Sequence, residues 1–134
     1  MKKLFTLICI FLLSYACSPE SDETKIHYEL LPVESYEMPN VFTSNTDNNI
    51  QIKFLRPTSC HGFDGFVYEK NENTRTVAIQ SYVLEQSNCS PTAQSVIQTL
   101  KFHPTASGIY LFKFWKGKDA NGVDVFKEVT IEVQ

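Results

Sequence analysis

The chain has 134 residues, 43% of them apolar and 20% charged, which suffices for one hydrophobic core in a single domain. Its formal net charge is −3; without Lys2 and Lys3, which stand in a segment expected to be removed, ten basic residues face fifteen acidic ones, a balance of −5. That charge repels phosphate backbones and anionic headgroups, so nucleic acid is excluded as an expected partner.

Residues 1–16 have the pattern of an export signal. Lys2 and Lys3 give a positive start, Leu4 to Leu13 is apolar apart from Thr6, and the small residues Ser14 and Ala16 precede Cys17. The apolar run is about a dozen residues, against the roughly 20 that a spanning helix needs. A cleaved signal is therefore expected here, and not a transmembrane anchor.

Leu13-Ser14-Tyr15-Ala16-Cys17 resembles the lipobox of bacterial lipoproteins, with Leu13 one place further upstream than the usual apolar residue and Ser14 in that slot. The resemblance implies that Cys17 becomes the diacylglyceryl-modified, acylated N-terminus. Cysteine parity points the same way. Removing residues 1–16 discards Cys9 and leaves Cys17, Cys60 and Cys89, an odd number for an oxidising compartment. Lipid on Cys17 leaves Cys60 and Cys89 to pair with each other. A plain secreted protein with a spare thiol is the rival reading.

Residues 17–25 are expected to form the lipidated terminus and a solvated tether, because Ser18-Pro19-Glu20-Ser21-Asp22-Glu23-Thr24 offers no apolar residue to bury. The stretch is similar to the acidic segments that follow the lipidated cysteine in surface-exported lipoproteins of some gram-negative bacteria. Ser18 after the cysteine, in place of Asp, implies sorting to the outer membrane, on its periplasmic face or at the cell surface. Attachment would rest on acyl chains, each buried methylene contributing about 0.8 kcal/mol.

From residue 26 to 134 strand signals dominate and no long 3.6-residue stripe appears. Ile26–Leu30 alternates apolar and polar residues. Pro32 and Pro39 bracket an irregular passage, and Ser44–Asn49 is a loop cluster. Ile50–Phe54 alternates cleanly and is expected to stop before Pro57. Phe66–Tyr68 and Thr76–Leu84 form a predicted hairpin about Asn71–Asn73. A loop over Ser87–Pro91 follows, then strands near Val96–Phe102, Ile109–Trp115 and Val123–Val133. Asn121-Gly122 between the last two predicts a type I′ turn. Seven strands with polar turns predict an all-β, two-sheet sandwich.

Pro104-Thr105-Ala106-Ser107-Gly108-Ile109-Tyr110-Leu111-Phe112 resembles the corner before the penultimate strand of immunoglobulin-like domains. There a tyrosine hydroxyl bonds back to the backbone, and Phe112 stands where antibody domains place their second cysteine. The resemblance covers this corner and the last hairpin. It implies an Ig-like or fibronectin-like sandwich and carries no activity.

Three places in the sequence carry site chemistry. The predicted loop Ser59–Gly65 gathers Cys60, His61 and Asp64. A cysteine–histidine nucleophile or a metal site would need a base-orienting residue or a third ligand that the sequence does not mark, so Cys60–Cys89 is read as a structural disulfide and Gly62 and Gly65 as turn residues. Asp119–Asp124 is similar to calcium loops in its alternate oxygen ligands, yet lacks the closing glutamate, and a hairpin turn explains every residue. No metal or cofactor is expected.

Strand parity marks the third. Tyr110, Phe112 and Phe114 share one face with Val125, Lys127, Val129, Ile131 and Val133, evidently the core. The opposite face joins Trp115 and Phe126 to Lys113, Asp124 and Glu128. Exposed, these aromatic rings would form a platform for a sugar ring or an extended peptide; Ile26–Leu30 or the Pro32–Phe42 passage could instead cover them. The expected function is a non-catalytic, membrane-tethered envelope module that binds a glycan, a peptide or a partner protein. A small hydrolase or metal-dependent enzyme using His61 and Asp64, or a structural role in an envelope assembly, are the alternatives.

Overall fold

The computed structural model describes residues 24–134; the predicted signal segment, Cys17 and most of the tether lie outside the described residues. Eight strands follow in order: β1 (Ile26–Leu31), β2 (Ser35–Glu37), β3 (Asn48–Thr58), β4 (His61–Asn71), β5 (Thr74–Leu84), β6 (Pro91–Phe102), β7 (Gly108–Lys118) and β8 (Asp124–Val133). They form two sheets and enclose one core, so the all-β sandwich expected from the pattern is the fold.

The larger sheet is organised on β5. β4 runs along one of its edges as an antiparallel hairpin partner. On the other edge β1 pairs with Ile79–Leu84, antiparallel, and β7 pairs with Thr74–Val77, parallel. β8 closes this sheet against β7. The smaller sheet has the order β2-β3-β6, all antiparallel.

Period-2 alternation decides which side chains enter the core. Ile50, Ile52 and Phe54 of β3 meet Val77 and Ile79 of β5 and Tyr110, Phe112 and Phe114 of β7, all buried. Phe102 sits edge-on between Tyr110 and Phe112, with centroids at 5.3 and 5.0 Å, an arrangement that the ring quadrupole favours. At the end of this stack the Arg75 guanidinium lies 5.0 Å from the Tyr110 ring centroid.

Buried polar groups are few, and the side chain of Asn48 shows how one is satisfied. It accepts from Thr43 N–H at 2.9 Å and donates to the carbonyls of Thr43, Thr46 and Phe102, which fixes the loop Thr43–Asp47 on β3. The Tyr110 hydroxyl donates to the Ala106 carbonyl at 3.0 Å, the backbone bond that the sequence around Gly108 implied.

Cys60 and Cys89 form a disulfide. Cys60 lies in the turn between β3 and β4 and Cys89 in the loop between β5 and β6, so the bond staples two crossovers between the sheets. Backbone bonds support it: Ser59 N–H donates to Ser90 O, and Leu84 N–H to Cys60 O.

Four local expectations are corrected. The Pro-bracketed passage contains a short edge strand, β2. β3 continues through Pro57 to Thr58, because a register shift between Arg56 and Thr58 absorbs the residue with no N–H. His61–Gly65 belongs to β4 and not to a loop: Gly62 packs beneath the Tyr82 ring, where a Cβ would come within 2.1 Å of it, and Gly65 follows a bulge after Phe63. The last hairpin is not a type I′ turn. Only Gly122 has positive φ, at 78°, and its N–H donates to Asp119 O, while Asp119 N–H donates to Val123 O. The Asp119 carboxylate accepts from Asn121 and Val123 N–H, so the Asp119–Asp124 segment is a turn.

Candidate functional site

The outer face of the larger sheet carries the aromatic pair. Trp115 on β7 stands directly opposite Phe126 on β8, and Lys113 stands opposite Glu128. Both rings are half-buried. They border a groove of about 240 Å³ whose other walls are Leu30, Val67, Glu69, Thr76 and Ala78, with Lys118 and Asp124 at one end. Neither β1 nor the Pro32–Phe42 passage closes it. Leu30 and Tyr28 extend the apolar surface along β1, with 45% and 55% of their areas exposed.

A bulge shapes the polar end of the groove. Trp115 pairs with Phe126 but Lys118 pairs with Asp124, and Gly117 between them has φ 99°. Strict alternation would put Lys118 on the opposite face from Trp115; the extra residue turns it back. Asp124 then accepts two hydrogen bonds on one oxygen, from the Trp115 indole N–H at 2.9 Å and from Lys118 Nζ at 2.7 Å. The Lys118 ammonium, helped by the indole donor, holds the Asp124 carboxyl below its ordinary value of 3.8.

Lys113 is similarly engaged. Its ammonium lies 4.8 Å from the Phe126 ring centroid and 3.4 Å from Glu128 Oε1. The groove thus presents the Lys118–Asp124 pair and the Glu69 carboxylate, which forms no ion pair among the described residues, beside partly bare rings. Such a surface suits a flat ligand with an apolar face and several hydroxyl or amide groups, and the extra carboxylate of Glu69 disfavours an anionic one.

The chain matches no protein-family model, no curated protein and no solved structure.

His61 and Asp64 do not converge. Asp64, at the bulge in β4, accepts from Gln80 Nε2 at 3.0 Å. His61, its side chain 10% exposed, lies instead between Glu29 of β1 and Thr58 of β3. Its Nε2 is 2.6 Å from Glu29 Oε1, and its Nδ1 is 2.7 Å from the Thr58 hydroxyl. The network fits Nε2–H donating to the carboxylate and Nδ1 accepting from Thr58, whose oxygen accepts Cys60 N–H at 3.2 Å. Both ring nitrogens are engaged, and the chain of bonds ties β1 to the β3–β4 corner beside the disulfide. Alternation could not reveal this trio, because Glu29 is 32 residues from His61.

Proposed function

We propose that this chain is an exported, lipid-anchored module of the bacterial cell envelope, with an Ig-like or fibronectin-like sandwich that binds a ligand non-catalytically across the outer face of its larger sheet. One observation carries the binding reading. The Trp115–Phe126 pair lies partly bare over a groove that also holds the oriented Lys118–Asp124 pair and the Glu69 carboxylate. The Tyr110–Ala106 hydrogen bond supports the Ig-like reading of the corner. The lipobox-like segment ending at Cys17 supports the anchor.

The ligand favoured by this chemistry is a glycan ring, whose C–H face stacks on an aromatic plane while its hydroxyls meet Asp124 and Lys118. An extended peptide lying along Tyr28, Leu30 and Trp115 is the second candidate. Glycan and peptide arrays probed with the wild type and with Trp115→Ala separate them. Binding by the wild type, with a loss of tenfold or more in the variant (about 1.4 kcal/mol or more), supports the reading. Equal binding by both proteins to every immobilised compound refutes it.

A further inference from the structure

A second depression, of about 570 Å³, opens on the flank of the sandwich between β2 of the smaller sheet and β8 of the larger. Among the described residues no strand pairs with the outer edge of β8; a bridge from Phe42 covers it only at Val133. The sheets therefore part here, over the edge of the core. Val33 and Phe114 lie fully buried beneath the floor, and the accessible floor is the half-buried Tyr36 ring, stacked 4.2 Å from that of Phe114. Phe126 forms one wall.

The rim is cationic, although the domain as a whole is acidic. Lys116 Nζ donates to Val33 O at 2.6 Å and to Glu34 O at 2.8 Å. An ammonium has three protons, so this one is pinned at the mouth with one donor unspent. Lys127 lines the same mouth and forms no ion pair among the described residues. Glu34 is the one carboxylate on the lining, and its Oε2 faces Lys53 at 3.7 Å. An apolar floor beneath two uncompensated ammonium groups is complementary to one kind of molecule.

We infer that this cleft binds a small amphipathic carboxylate, its head held between Lys116 and Lys127 and its apolar tail lying on Tyr36 and Phe126. The volume falls within the roughly 300–1,000 Å³ of small-molecule sites. The inference does not depend on the Trp115 groove, because Trp115 does not line the cleft.

Decanoate and decanol, which share a ten-carbon tail and differ in the head, test it by titration of the purified full-length chain, followed by calorimetry and amide chemical shifts. Decanoate is expected to bind saturably, to shift Val33, Tyr36 and Phe114, and to bind about tenfold more tightly than decanol, the effect of one charged head. Lys127→Glu, at an exposed position, should weaken decanoate about tenfold, leave decanol unchanged and leave the melting temperature intact. Trp115→Ala should change neither, so loss of array binding with decanoate binding retained would sink only the outer-face reading. Decanoate binding no tighter than decanol, or insensitive to Lys127→Glu, overturns the inference. So do shifts running along β8 from Asp124 to Ile131 without Tyr36 and Phe114, the signature of strand addition.

Discussion

Asp124 organises the aromatic face through a single carboxylate oxygen that receives both the indole and the Lys118 ammonium. Its folded-state pKa is depressed, so its contribution is present above the unfolded value and is lost as the pH falls through the folded one. That loss belongs below pH 3.8. Trp115 is the only tryptophan in the chain, so its emission reports the event directly. Wild type should show a fluorescence titration with a midpoint below 3.8, and Asp124→Asn should lack it. A midpoint at or above that value would mean that the ammonium and the indole do not stabilise the carboxylate. The residue is solvent-exposed, so global stability should hardly change across the transition.

Among the elements, the β3–β4 turn and the β5–β6 loop bear the mechanical load at one end of the sandwich. Each carries the chain between sheets, and the disulfide between them closes a separation of 29 residues. By chain entropy such a bond contributes about 3–4 kcal/mol. The Thr58–His61–Glu29 chain of hydrogen bonds lies beside it and ties in β1. Denaturant unfolding of the double variant Cys60→Ala/Cys89→Ala should show a drop of about that size. A drop below about 1 kcal/mol would place the constraint elsewhere, in the hydrogen bonds and packing that surround the bond.

The same scale shows what could be read before the structure was known. Parity sorted Tyr110, Phe112 and Phe114 from Trp115 and Phe126 correctly, because β7 and β8 alternate without interruption through those positions, but Val125 and Lys127, which it placed with the core, are exposed where β8 runs past the core's edge. It failed wherever an extra residue entered a strand. The bulges at Pro57, Asp64 and Gly117 each invert the faces beyond them, and a lone glycine or proline does not announce whether it ends a strand or bends it. β2 was missed for a different reason: three residues between two prolines carry too short a pattern to read. Long-range partners were invisible as well. Nothing local in Leu30 places it beside Trp115, and nothing in Lys116 places it on the carbonyls of Val33 and Glu34.

For the molecule as a whole, two surfaces meet near Phe126, an aromatic groove on the outer sheet face and a cationic cleft on the flank. Neither is lined by Cys60 or Cys89, so the proposed binding surfaces and the staple occupy different regions. In the proposed envelope setting, a tether from Cys17 would leave both surfaces facing solvent. Cys17→Ala should then release the chain from membranes into the aqueous phase of a detergent partition. Unchanged partitioning of that variant would remove the lipid anchor from the account. It would leave the sandwich and its surfaces as they stand.

The central claim is that Trp115 is a contact surface for a ligand. Titrating the intrinsic fluorescence of the wild-type chain with soluble chito-oligosaccharides, and then with the peptides retained on the array, tests it at the atom concerned. The account predicts a saturable change in emission, together with protection from acrylamide quenching. An emission spectrum and a quenching constant that stay unchanged across both panels would contradict it.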